Sequence, residues 1–260
     1  MKRTTRRAVV AGAAAAVLTG VAAAAPAGAA EGGVAFSRVT VNGGKPIVIG
    51  VKKEVEVYAT FRMTTKLKHT SSPSVFPYRG KLSNMDTMHT AIIGSDCKVV
   101  NKAQGTCDFE EWLYIDPRHT DFGNEDAGTW RTAARLFLPK DSQDVDDEDH
   151  AVQLKRATRV TVNASPEPVV KGKTLTVTGK VTRANWDTHT YQGYGGRSVS
   201  LQFKAAGSSS YKTVKKAKSS RTGVLKTTVK ATGAGTWRWT YYGNSTAGGS
   251  SSTGDRVAIR

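Results

Sequence analysis

Long apolar runs are missing once the first 30 of the 260 residues are past. No later stretch approaches the ~20 apolar residues that a membrane-spanning helix needs. Cysteine is scarce: Cys97 and Cys107 are the two present. They lie ten positions apart, not in a Cys-x-x-Cys pair, so a redox motif is not expected. The signatures of hydrolytic enzymes are absent, with no His-Glu-x-x-His and no Gly-x-Ser-x-Gly. The five histidines, His69, His89, His119, His150 and His189, form no zinc-type pair. Glu110 and Glu111 are two carboxylates by arithmetic, and nothing positions them across a cleft. An enzyme is not expected.

Acid is missing from the second half. Residues 31–150 carry 15 basic and 18 acidic side chains, net −3, whereas 151–260 carry 19 basic and 3 acidic, net +16. A domain with that balance attracts polyanions through its surface potential.

The chain repeats itself. Arg38-Val39-Thr40-Val41-Asn42 recurs as Arg159-Val160-Thr161-Val162-Asn163, and Pro46-Ile47-Val48-Ile49-Gly50 answers to Pro168-Val169-Val170-Lys171-Gly172. Gly128-Thr129-Trp130-Arg131 returns as Gly235-Thr236-Trp237-Arg238, and Val152-Gln153-Leu154-Lys155 matches Val257-Ala258-Ile259-Arg260. Four matches in one order predict two copies of one module, 37–156 and 157–260, each long enough to bury its own core. The basic start Met1-Lys2-Arg3-Thr4-Thr5-Arg6-Arg7, an Ala-rich run and Pro26-Ala27-Gly28-Ala29-Ala30 read as a secretory signal peptide over 1–30. Thr5-Arg6-Arg7-Ala8-Val9-Val10 also fits a twin-arginine signal. No cysteine sits at the cleavage site and no hydrophobic tail closes the chain, so an extracellular protein without a covalent anchor is expected, secreted or associated with the cell wall. In that compartment Cys97 and Cys107 are expected to pair as a disulfide.

Period-two alternation marks the strands. In the second module Leu175, Val177 and Val181 alternate with polar residues, as do Val199, Leu201 and Phe203, and Trp237, Trp239 and Tyr241. Val55, Val57, Ala59 and Phe61 do so in the first. About seven strands per hundred residues, with no helical periodicity, predict two tandem immunoglobulin-like antiparallel β-sandwiches, an all-β protein. Residues 63–90 read as a long loop. Trp130, Trp237 and Trp239 are expected in the core or at its rim.

Ser165-Pro166-Glu167-Pro168-Val169-Val170-Lys171-Gly172-Lys173-Thr174-Leu175-Thr176-Val177-Thr178-Gly179, with Val199-Ser200-Leu201-Gln202-Phe203, Gly235-Thr236-Trp237-Arg238 and the closing Gly243 to Val257, resembles the bacterial Ig-like modules of secreted actinomycete proteins. The resemblance is good over 157–260 and partial over 37–156. It implies an extracytoplasmic sandwich, often in tandem, and supplies no catalytic residues.

Three segments are candidate sites. Lys212, Lys215, Lys216, Lys218, Arg221, Lys226 and Lys230 are expected to form a cationic sheet surface for anionic envelope or matrix polymers; the alternative is charge that keeps edge strands from pairing. The loop 184–196 holds Trp186, Tyr191 and Tyr194 among glycines and polar residues. It reads either as a weak carbohydrate platform or as aromatics capping the core. The acidic run 141–149, with Asp144, Asp146 and Glu148 at alternate positions, has carboxylates for Ca2+ but neither the glycine nor the distant glutamate of an EF-hand. Its alternative is a solvated acidic loop. No cofactor other than Ca2+, no membrane span after signal cleavage and no dedicated nucleic-acid site are expected. A protein or glycan partner of the first module is the remaining expectation.

Overall fold

The structure, a computed structural model, describes residues 33–260 apart from 89, 95 and 141. Residues 1–30, expected from the sequence to be a signal peptide, lie outside the described residues. Two-faced strands must bury their apolar face, and sandwiching two sheets does this.

The first module runs through β1 (Val34–Val41), β2 (Ile47–Ile49), β3 (Val55–Thr65), β4 (Ser74–Lys81), β5 (Asn84–Thr87), β6 (Ala91–Gly94), β7 (Lys98–Asn101), β8 (Thr106–Ile115), β9 (Gly128–Phe137) and β10 (Gln143–Arg156). One sheet has the order β1-β3-β8-β6, with β7 also beside β8; the other has the order β2-β10-β9-β4-β5. The second module runs through β11 (Thr158–Val160), β12 (Asn163–Ser165), β13 (Thr174–Asn185), β14 (Thr190–Gly193), β15 (Ser198–Ala205), β16 (Lys212–Lys218), β17 (Val224–Lys230), β18 (Gly235–Tyr241), β19 (Ser250–Ser251) and β20 (Asp255–Val257). Here β13 is flanked by β11 and β12 on one side and by β14 and β17 on the other. The facing sheet has the order β16-β15-β18, with β19 and β20 on the far side of β18. Both modules are immunoglobulin-like sandwiches.

The repeated sequence motifs occupy equal places. Trp130 is the third residue of β9 and Trp237 the third of β18, one in each core, where they are 2% and 3% exposed; Trp239 is fully buried. Pro46-Ile47 leads into β2, which crosses to the second sheet and pairs with β10 in parallel, Leu154 opposite Ile47. In the second module Val169 makes the corresponding parallel bridge to Ile259. The sheets are therefore not wholly antiparallel. A strand that changes sheets at a proline comes to lie beside the last strand and runs in the same direction.

Residues 63–90 are not one loop. They finish β3 and supply β4 and β5, which pair as a hairpin, Tyr78 opposite Thr87. The strand was hidden because β4 is buried on both faces: Val75, Phe76, Pro77 and Tyr78 are all buried. Val75 joins the main core, and Phe76 and Tyr78 form a second cluster with Ala133. A run buried on both faces loses the period-two signal, and a proline within it discourages a strand reading.

Candidate functional site

The lysines of the second module lie at the edge where its two sheets meet. β16 is an edge strand paired with β15, and along it all residues but Ala217 are exposed. Ala217 packs on the core opposite Val199, so Lys216 and Lys218 point outward, opposite Ser200 and Ser198. Lys215 stands opposite Leu201 and reaches across the edge, its Nζ donating to the Thr228 carbonyl at 3.1 Å. Lys226 and Lys230 alternate with the core residues Leu225 and Val229, which places them on the outer face of the other sheet. Arg221 is in the turn between β16 and β17. The seven cations are thus not one flat face. They form a band that wraps around the β16–β17 edge. Between 188 and 254 the chain has ten lysines and arginines and no acid. None of these lysines makes an ion pair among the described residues. Sequence reasoning missed cations added by β15 and β18: Lys204 and Arg238 share the outward face of Lys216, with Arg238 lying 3.7 Å over the Tyr211 ring and bonded to Gln202 at 2.7 Å. Their positions in alternating strands carried the signal, but their neighbours come from distant sequence.

The loop 184–196 does not offer a sugar platform. Trp186 has no exposed surface and belongs to the core of the first module. Its ring lies 4.6 Å from Phe122 and its indole N–H donates to the Ile49 carbonyl at 3.3 Å. Tyr194 is buried in the second core and accepts a bond from Asn244. Tyr191 is partly buried against the first core, with Arg159 stacked 3.7 Å over its ring. The segment is the joint between the sandwiches. Asn124 fixes it, donating through its backbone N–H and side-chain N–H to Asp187 and through its side-chain N–H to Asn185 at 2.8 Å, while its side-chain oxygen accepts from the Trp186 backbone N–H at 3.0 Å. Arg156, 9% exposed, donates to the Ala184 carbonyl at 2.6 Å, and burial together with Arg183 holds its guanidinium down to about 10.

From Gln143 onward the acidic run belongs to strand β10. Asp144, Asp146 and Glu148 pair with Leu136, Ala134 and Thr132 along β10. They stand on one face two residues apart, an extended spacing that does not fold several oxygens around one ion. Among the described residues no three His, Cys, Asp or Glu side chains come together as a metal cluster. Burial and then Asp144 raise the Asp146 carboxyl above its ordinary value. Asp147 points to the other face, where it accepts from the Tyr78 hydroxyl at 2.6 Å and pairs with Arg131. A β bulge between Glu148 and Ala151 ends the acidic part of the ladder.

The first module carries a surface that sequence reasoning did not single out. On the outer face of the β3–β8 pair, residues meet in rungs: Glu56 with Tyr114, Tyr58 with Trp112, Thr60 with Glu110, and Arg62 with Asp108. Tyr58 and Trp112 have ring centroids 5.5 Å apart, and Tyr58 is 42% exposed. Ile93 of β6, 59% exposed, stands beside Trp112. Burial and a hydrogen bond to Glu110 raise the Tyr58 hydroxyl above its ordinary value. The shelf leads into a cavity of about 410 Å3 lined by Arg38, Thr60, Asp96, Lys98, Asp108 and Glu110 together with Phe61 and Phe109. Arg62 grips Asp108 with two bonds, 2.7 and 2.9 Å, and lowers its carboxyl below the ordinary range. The disulfide between Cys97 and Cys107 ties β7 to β8, with Val99 opposite Cys107, and so sets Asp96 and Lys98 at the cavity wall. The alternation of β3 was legible; the companion strand lies fifty residues on, so the aromatic rung was not.

No family model and no curated protein matches the chain. Solved structures resemble it loosely. The D00-D0 domain of intimin aligns over 84% of this chain and 98% of its own at 11% identity and a TM-score of 0.28. The Yersinia pseudotuberculosis adhesin InvE covers 88% of this chain and 61% of its own at 10% identity and a TM-score of 0.27. The ectodomain of mouse nectin-like molecule 4 covers 87% and 64% at 12% identity and a TM-score of 0.25. Likenesses of this size carry no argument about function.

Proposed function

We propose that the protein is a non-enzymatic binding protein of the cell exterior, whose second module holds anionic polymers of the envelope or matrix. One observation carries this reading: the acid-free band of lysines around the β16–β17 edge, exposed and without ion-pair partners among the described residues. Backbone groups along an edge strand already invite another chain, and lysines there also repel further strands. Repulsion alone needs charge on β16, yet Lys226, Lys230, Lys204 and Arg238 extend it over both outer faces. A disulfide in the first module fits an oxidising compartment.

The test is retention of residues 31–260 by washed cell walls and by poly(glycerol phosphate) over a salt series. Retention is expected to fade steeply toward ~1 M salt, where screening shortens to about 3 Å. Exposed ion pairs contribute about 0.2–1 kcal/mol each, so Lys216→Glu/Lys218→Glu/Lys226→Glu should weaken binding roughly tenfold or more. Retention that ignores salt, or ignores this triple change, rejects the proposal.

A further inference from the structure

The aromatic shelf of the first module has no counterpart in the second. On the equivalent outer face of β13 and β17 the chain places Thr176, Thr178, Lys226, Thr228 and Lys230. The fold itself therefore does not require Tyr58, Trp112 and Tyr114 at these positions, and leaving large apolar groups such as Ile93 and Tyr58 in water is unfavourable. The adjoining cavity holds charges of both signs. Arg38 and Lys98 face Asp96, Asp108 and Glu110, and Arg62 already holds Asp108. A polyanion would meet these carboxylates and a polycation would meet these cations. A neutral ligand rich in groups that both donate and accept hydrogen bonds meets neither obstacle. Sugar hydroxyls have that capacity, and the C–H faces of pyranose or furanose rings cover exposed aromatic rings. The volume of about 410 Å3 falls within the ~300–1,000 Å3 of small-ligand sites.

We infer that the outer face of β3 and β8 is a binding site for an uncharged glycan. A sugar ring lies over Tyr58 and Trp112, and the next unit enters the cavity between Arg38 and Lys98. The disulfide keeps the Lys98 wall in place beside Asp108. This site is separate from the lysine band and does not depend on it.

The experiment is affinity electrophoresis of residues 31–260 at high salt, which silences the lysine band, in gels containing β-glucan, mannan, galactan or arabinan. At least one polysaccharide should retard the protein. Tyr58→Ala and Trp112→Ala should each reduce the apparent affinity tenfold or more, and Lys98→Glu should reduce it several-fold. Tyr58 is half-exposed and Lys98 is exposed, so these two variants should keep the melting temperature of the parent. The Lys216→Glu/Lys218→Glu/Lys226→Glu variant should be retarded as the parent is. Absence of retardation in all four gels overturns the inference. So does retardation that survives Tyr58→Ala with Trp112→Ala. Binding of a lysine-rich peptide in place of the polysaccharides, lost in the same variants, overturns it in favour of a cationic partner.

Discussion

Glu110 and Glu111 show how one residue of register separates two chemistries. Alternation along β8 sends Glu110 to the wet face and Glu111 between the sheets, where it has no exposed surface. One Glu111 oxygen accepts the Val75 N–H at 2.8 Å, while the other has no hydrogen-bond partner among the described residues. Burial outweighs that bond and pushes the carboxyl up to about 8. The folded chain thus holds a proton on Glu111 that the unfolded chain releases near 4.5. Its contribution to stability is full below 4.5 and is lost as the pH rises through about 8. Glu111→Gln keeps an acceptor for Val75 and removes the titration. The melting temperature of the parent, compared with that of Glu111→Gln, should fall between pH 5 and 8 by the equivalent of up to several kcal/mol. Parallel curves for the two proteins would exclude Glu111 as the source. Asp116 works in the opposite sense, because Arg118 holds it down at about 2, so its effect is confined to more acid solution.

Among the elements, β7 depends most on a covalent tie. All four of its residues are exposed, and among the described residues it pairs with β8 alone. Without apolar burial a short exposed strand has little of its own to stay in place. The disulfide closes a loop of ten residues, which the chain-entropy estimate values at roughly 2–3 kcal/mol. Cys97→Ser/Cys107→Ser should lower stability by about that amount, with protection of β7 amides lost first in hydrogen exchange. Unchanged exchange across Lys98–Asn101 would show that pairing with β8 suffices. Elements also differ in how readily sequence reveals them. β3, β13 and β18 bury one face and alternate plainly. β4 buries both faces, and β10 begins with acids, so neither follows the expected pattern. In β10, Val145 and Asp147 settle on the outer side against Phe76 and Tyr78, neighbours that the local sequence does not announce.

For the whole molecule the decisive contact is Trp186. It is carried by the second module and buried in the core of the first, beside Phe122 and Ile49. The polypeptide also passes through the joint with backbone bonds, Ala157 N–H to the Ile49 carbonyl at 2.8 Å and Ala184 N–H to the Ala157 carbonyl at 2.8 Å. Truncating a buried tryptophan costs about 3–5 kcal/mol, and here that loss falls on the coupling between modules as well as on the core. Calorimetry of the parent should therefore give one cooperative transition, whereas Trp186→Ala should split it in two and broaden the distance distribution seen by solution scattering. Two independent transitions in the parent would show that the joint does not couple the modules. The same contact means that a cut at residue 156 exposes Trp186, so the lysine band is best tested in the intact chain.

The strand alphabet, the duplicated order and the charge of the second half are legible in the chain alone, because alternation, repeated motifs and composition are local or additive properties. Val55 to Phe61 and Trp237 to Tyr241 announce buried faces whatever their neighbours are. What those faces meet was set by the packing of strands far apart in the chain. It turned an aromatic loop into a joint by giving Trp186 a pocket some 60 residues away, beside Phe122. It divided the lysines around an edge because β16 and β17 belong to different sheets. It placed Tyr58 beside Trp112 because β3 pairs with β8 in one register. Such pairings depend on distances between residues far apart in the chain, and no local pattern encodes them.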